Sequence, residues 1–184
     1  MKLNTDFSKF PILETANLLL REVVEKDVEE VFFLRSDKEI MKYIPRPLAK
    51  TKDEALVHIE VLRKAKENEE GINWAITQKG NETLIGIIGL YRIEKENFRS
   101  EVGYILHPAF QGKGILGEAL QKVMEFGFTH CNFHTLTAVI DPRNSASERV
   151  LQRANFTKEA HFREDFYYDG EFLDSVHYSI INPK

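Results

Sequence analysis

SEVGYILHPAFQGKGILG, residues Ser100 to Gly117, is where the hydrophobic period of this chain changes. Ser100 to Leu106 reads as a strand, stopped by Pro108, which cannot donate to a strand ladder. Gln111 to Gly117 is a glycine-rich turn. A helix then runs to about His130, with apolar positions Leu116, Ala119, Leu120, Val123 and Gly127 stepping at three or four. Upstream, Asn73 to Thr77 and Thr83 to Ile93 are strands separated by the turn signal Gly80-Asn81. Three strands in a row predict an antiparallel meander feeding a glycine loop and a helix.

Further out the pattern stays simple. Leu18 to Val24 is an apolar strand, and Asp27 to Arg35 places Val28, Val31, Phe32 and Leu34 on a helical period. Met41 to Lys50 holds Pro45 and Pro47 and reads as a loop. Thr51 to Glu69 is a helix entered through Thr51-Lys52-Asp53-Glu54, a capping-box string. After the central helix come a strand at His134 to Ile140, a turn at Asp141 to Asn144, and a short helix ending near Ala154. Phe162 to Tyr168 and Phe172 to Ile181 flank Asp169-Gly170, a strong hairpin signal. The predicted order is an α+β sheet with helices on its faces, in one domain spanning residues 1–184.

Composition narrows the function classes. Hydrophobic residues make up 42% and charged residues 29% of the 184, an ordinary water-soluble balance. The net charge of −4 argues against nucleic acid as the main ligand. The first residues hold no apolar run like that of a signal peptide, and no stretch approaches a membrane span, so the expectation is a cytoplasmic protein without a membrane partner. The single cysteine, Cys131, excludes an internal disulfide, and the histidines show no metal-ligand spacing. No metal is expected. Cys131 is expected to be inert, Trp74 to pack the sheet with Ile72 and Ile76, and Arg63 to Glu70 to form a solvated helix face.

Gly112-Lys113-Gly114 lies between a strand and a helix. Glycine lets backbone approach a ligand closely, and the first N–H groups of a helix lack partners at its positive end. Such a loop can bind phosphate, with Lys113 adding charge; a plain strand-to-helix turn has the same letters. The loop does not continue as a P-loop. Its G-x-G-x-x-G string follows a meander rather than a first βαβ strand, so a dinucleotide fold lacks its context.

Glu101 to Pro108 followed by Gln111-Gly112-Lys113-Gly114 resembles the coenzyme A motif of the GNAT acetyltransferases, [Q/R]-x-x-G-x-[G/A], with Leu116 at the final small position. Asp141 to Ser147 and Asn155-Phe156 resemble that family's next strand and helix. Leu18 to Arg21 and Tyr43-Ile44-Pro45 are similar to the Rim-type ribosomal-protein N-terminal acetyltransferases. The resemblance implies a mixed, mostly antiparallel sheet with helices on both faces and a splayed strand pair. It implies acetyl-CoA as cosubstrate, held by Ile105, Leu106 and His107 on the strand, by Gln111, Gly112, Lys113, Gly114, Ile115, Leu116 and Gly117 in the loop, and by Asn144. Glu101, on one strand face with Gly103 and Ile105, matches the glutamate that serves as base in Rim-like relatives.

Asn144 and Ser147 form N-x-x-S at a helix start. Both types cap helices, and Ser145 to Glu148 is itself a capping-box string. The resemblance places Ser147 near the cofactor sulfur. Leu151 stands where many relatives carry a tyrosine acid, which leaves Ser147 as the acid candidate. The implied acceptor is an amine: a protein N-terminus, or a small molecule such as a polyamine or aminoglycoside. A non-catalytic acetyl-CoA-binding module is the rival. The resemblance sets no oligomeric state beyond monomer or homodimer.

Overall fold

The computed structural model describes residues 2–183. Its strands and helices run, in chain order, β1 (Leu13–Glu14), β2 (Leu18–Glu22), α1 (Val28–Ser36), α2 (Lys38–Met41), α3 (Lys52–Glu67), β3 (Gly71–Gln78), β4 (Gly86–Glu94), β5 (Arg99–Leu106), α4 (Ile115–Thr129), β6 (Thr135–Ile140), α5 (Ser145–Arg153), β7 (Thr157–Tyr168) and β8 (Glu171–Ile181). The strands form one sheet in the order β1-β2-β3-β4-β5-β6-β8-β7. Every pairing is antiparallel except that of β5 with β6. This is the mixed sheet that the resemblance implied.

Strand alternation sends successive side chains to opposite faces, and each face has its own core. Ile72, Trp74 and Ile76 of β3 pack with Leu90 of β4, Val102 and Leu106 of β5, Ala119, Leu120 and Val123 of α4, and Leu151 of α5. Ala75 of β3 and Ile87 of β4 face the other way, onto Val31 and Leu34 of α1 and Ala55 and Ile59 of α3. Each large aliphatic side chain removed from water in this way contributes about 2 kcal/mol. Trp74 is fully buried and its indole N–H donates to the Pro11 carbonyl at 2.7 Å, so it packs the sheet as expected. Cys131 is buried as a free thiol, and burial pushes its pKa up to about 12; that removes thiolate character.

Helix ends follow their residue chemistry. Thr51 Oγ1 accepts the Glu54 N–H at 3.3 Å, but the Glu54 carboxylate reaches back one residue further, to the Lys50 N–H at 2.7 Å. At α5 the cap is Asn144, whose Oδ1 accepts the Ser147 N–H at 3.0 Å. The capping string at Ser145 to Glu148 therefore sits one residue inside the helix. Other boundaries differ from expectation: β4 begins at Gly86 rather than Thr83. β7 begins at Thr157, five residues before Phe162, because its early part pairs with the end of β8. The short elements β1 and α2 carry too little periodicity to be foreseen. Among the described residues no helix is long and apolar enough to cross a membrane.

Candidate active site

β5 and β6 pair only at Arg99 with Thr135, Ser100 with Leu136, and Glu101 with Thr137. Beyond Glu101, β5 stays with β4 as far as Leu106 opposite Gly86, while β6 stays with β8 as far as Ile140 opposite Val176. The two strands therefore part, and the sheet opens as a wedge. Antiparallel register alternates which residues exchange hydrogen bonds. The His107 N–H donates to the Ile85 carbonyl at 2.8 Å, so Ile105 and His107 direct their N–H groups into β4. Val102, Tyr104 and Leu106 turn their backbone groups to the wedge. Of the three strand residues expected to meet the cosubstrate, Leu106 alone has that aspect, and the Gln111 side chain already donates to its carbonyl at 3.3 Å. His107 instead uses its ring, accepting the Ala109 N–H at 3.1 Å and stacking on Phe33 at 4.7 Å.

At the mouth of the wedge lies the glycine loop. Gly112 and Gly114 take φ of 74° and 79°, a region that side chains rarely enter, and a Cβ at either would meet no atom within 4 Å. Open space beside left-handed backbone is what close approach by a ligand needs. The first helical bond of this type in α4 is from Glu118 to Gly114 at 3.0 Å, so the N–H groups of Ile115, Leu116 and Gly117 precede the i→i−4 ladder. Lys113 is exposed, with its ammonium 5.5 Å from the Phe110 ring centroid. These residues fit a pyrophosphate on electrostatic and steric grounds.

On the α1/α3 face of β5, Glu101 is 8% exposed. Both carboxylate oxygens are held: Oε1 accepts the Tyr91 hydroxyl at 2.8 Å and Oε2 accepts from Arg92 at 2.8 Å. Tyr91 stands directly opposite Glu101 in the β4–β5 register. Its ring covers Gly103 so closely that a Cβ there would lie 2.6 Å from a ring carbon; only glycine admits this contact. Burial first, then the Glu101 charge, raises the Tyr91 pKa above the ordinary phenol value, so Tyr91 serves as a hydrogen-bond donor and stays protonated. Arg92 sits in a β-bulge with φ of 50°, a strained backbone for a non-glycine residue.

On the opposite face, the Tyr104 hydroxyl and Ser147 Oγ lie 2.8 Å apart. Ser147 is 7% exposed, and burial moves the Tyr104 pKa up to about 12. The two hydroxyls form a short relay beside the wedge, with Asn144 fixing the Ser147 backbone. Sequence reading singled out neither Tyr91, Arg92 nor Tyr104. Two acidic residues of the β7–β8 hairpin are engaged locally: Asp174 bonds His161 at 2.7 Å and the Glu164 N–H at 2.9 Å, and Asp165 accepts from Ser175 at 2.7 Å.

A wedge between two strands, a glycine loop at its mouth and a held carboxylate form one constellation. Residues 17–157 match the family model described as Acetyltransferase (GNAT) domain. The chain belongs to the GNAT acetyltransferase family. A relative, the uncharacterized N-acetyltransferase YoaA of Bacillus subtilis (strain 168), is 31% identical over 175 residues, covering 95% of this chain and 99% of the relative. The spermidine N(1)-acetyltransferase of Escherichia coli (strain K12) is 24% identical over 163 residues, covering 88% and 84%. The solved structure of RimL, the ribosomal L7/L12 alpha-N-protein acetyltransferase in complex with coenzyme A, aligns with a TM-score of 0.84 at 22% identity, covering 93% of this chain and 98% of that one. At that identity the likeness is one of fold. This GNAT member is an N-acetyltransferase, and its resemblance to the Rim-type branch holds at the level of architecture.

Proposed function

We propose that this chain moves an acetyl group from acetyl-CoA to a primary amine by direct attack. The observation that carries the reading is the unpaired inner edge of β5, which opens beside the free N-terminus of α4. Gly112, Lys113, Gly114 and the first N–H groups of α4 hold the pyrophosphate. The Val102, Tyr104 and Leu106 backbone lines the wedge for the pantetheine arm, and a wedge N–H near Leu106 stabilises the developing oxyanion. As the amine nitrogen bonds to the acetyl carbon, the carbon–sulfur bond breaks. The amine proton passes to Glu101 through water, because an ammonium group has no lone pair to attack with. Tyr91 and Arg92 fix the carboxylate that receives it. The departing thiolate accepts a hydrogen bond from the Ser147 hydroxyl, which Tyr104 holds in place at 2.8 Å, and takes its proton from water.

For the acceptor, a protein N-terminal α-amine is the reading we favour over a polyamine. Rim-type resemblance supports it. Charge supports it independently. Residues 35–54, on the α1/α3 side of the sheet, hold Arg35, Lys38, Lys42, Arg46, Lys50 and Lys52 against Asp37, Glu39, Asp53 and Glu54, six positive charges to four negative. Such a field repels a polycation. A competition between spermidine and short N-terminal peptides, read by mass of the acetylated products, tests this. Preferential acetylation of spermidine would overturn the peptide reading.

Two variants test the machinery. Gly114→Asp puts a side chain and a negative charge where phosphates lie, at a backbone angle that disfavours any side chain. Coenzyme A affinity measured by calorimetry is expected to fall at least about tenfold, or ~1.4 kcal/mol. Unchanged affinity in folded protein would remove the loop from the site. Ser147→Ala leaves the Asn144 cap in place, so the melting temperature is expected to move little. Turnover is expected to fall roughly tenfold, the scale of one lost hydrogen bond of ~1 kcal/mol or somewhat more. Tyr104→Phe should act in the same direction through Ser147. A melting temperature several degrees lower with turnover intact would make Ser147 a packing residue.

A further inference from the structure

A cavity of about 100 Å³ lies beneath the loop joining α2 to α3, lined by Arg35, Pro47, Leu48, Ala49, Glu54 and His58. Its charge balance is unusual. Arg35 carries five N–H donors, yet its side chain makes only two long contacts, to Met41 Sδ at 3.6 Å and to the Pro47 carbonyl at 3.4 Å. No carboxylate among the described residues pairs with it. Arg46 brings a second guanidinium close enough to act on Arg35 and on His58. Among the described residues neither ring nitrogen of His58 has a hydrogen-bond partner. The Glu54 carboxylate is the acid on the cavity wall, and the Lys50 N–H already occupies one of its oxygens. A half-buried arginine without an acid partner is suited to an anion that arrives from outside.

The cavity also lies on the side of the sheet that carries Glu101. α1 and α3 cover the sheet face that carries Glu101, with Ile105 of β5 packed into their cluster. Phe33 of α1 stacks on His107 at the end of β5.

We infer that this cavity is a recognition pocket for a compact anion, a carboxylate or a phosphate monoester, carried by the amine acceptor, with Arg35 and His58 as its specificity-determining residues. The inference rests on the acetyl-transfer reading for the identity of the carrier, not for the existence of the pocket. The planar fork of Arg35 matches either anion through paired N–H donors, and His58 supplies a third donor. An acidic side chain near a protein N-terminus presents such a group; a polyamine presents none.

The whole chain serves for the test, in two arms. In the first, the His58 imidazole is titrated by NMR alone, with saturating succinate and with saturating inorganic phosphate. The midpoint is expected to rise by about 1 pH unit with the anion that fits, the effect of an adjacent opposite charge, and to stay put in Arg35→Met. Whichever anion acts at lower concentration identifies the chemistry. A midpoint that neither anion moves, or that moves equally in Arg35→Met, overturns the pocket. In the second arm, peptides bearing Asp near the N-terminus are compared with their Asn counterparts. A kcat/KM ratio of about tenfold or more is expected, arising in KM and lost in Arg35→Met, whose melting temperature stays level or rises. Equal rates on both peptides, or an Arg35→Met protein that melts lower while keeping the ratio, overturns the acceptor assignment. Absence of transfer to any amine would remove the enzyme reading and the acceptor assignment with it, while the anion titration would still decide the pocket.

Discussion

Glu101→Gln is expected to lower turnover at pH 7 by about 10²-fold or more, the usual scale for a lost general base, while acetyl-CoA affinity stays unchanged. Glutamine keeps the shape and one oxygen, so the Tyr91 hydroxyl retains an acceptor for its 2.8 Å bond and its ring can remain over Gly103. What disappears is the proton acceptor and the Arg92 ion pair. The Arg92 side chain is 63% exposed against 10% for Glu101, so the guanidinium left behind by the neutral glutamine stays solvated and carries no buried-charge penalty. A fall in rate without a fall in melting temperature therefore isolates the chemical role. The deficit should shrink at alkaline pH, where the acceptor amine is already neutral. Full activity of the variant at pH 7 would take Glu101 out of the mechanism and leave bulk water as the proton acceptor.

The second large effect is on stability and concerns His58. Burial, then the charges of Arg35 and Arg46, lowers its pKa from 6.5 to about 4. Its unfolded form titrates near 6.5. Between those values the unfolded chain binds more protons than the folded one, so stability rises with pH. Lowering the pH from about 6.5 to about 4 is expected to remove roughly 3 kcal/mol through this group alone. The groups facing it are Arg35 and Arg46, which oppose its protonation, and Glu54 on the cavity wall, which favours it. Denaturant titrations across this range, beside His58→Gln, measure the effect. The variant should show a flatter acid limb by about that amount. Equal slopes for both proteins would mean that His58 protonates freely in the folded state.

The legibility of the molecule in its sequence follows from how local each feature is. The β5-loop-α4 passage and the Asp169-Gly170 hairpin are short-range events, written in proline, glycine and a change of period. They matched, with Tyr168 opposite Glu171 across the turn. The wedge is partly legible, since a family motif implied it, but which backbone groups face it depends on register. The β4–β5 pairing turns Ile105 and His107 away and leaves Leu106. The partners of Glu101 were hidden for the same reason. Tyr91 meets Glu101 only because the strands pair in that register, and Arg92 reaches the same carboxylate from the bulge that follows. A bulge holding a left-handed arginine leaves no signal in the residue pattern. Tyr104 reads as one more strand aromatic until α5 brings Ser147 within 2.8 Å of it. Arg35 and His58 are harder still. An arginine in the last turn of a helix suits the helix dipole, so nothing in the letters marks it as unpaired. Only the packing of α1, α3 and the intervening loop brings the two residues to one cavity.

The central claim is catalysis: an amine takes the acetyl group here. Release of free coenzyme A thiol from acetyl-CoA, followed as primary amines are supplied one at a time, tests it most directly. The account predicts thiol release that depends on the amine, matches the N-acetyl product mole for mole, and collapses in Glu101→Gln. Acetyl-CoA that binds the chain tightly but yields no amine-dependent thiol with peptides, polyamines or aminoglycosides would contradict it, and would make this fold a binding module.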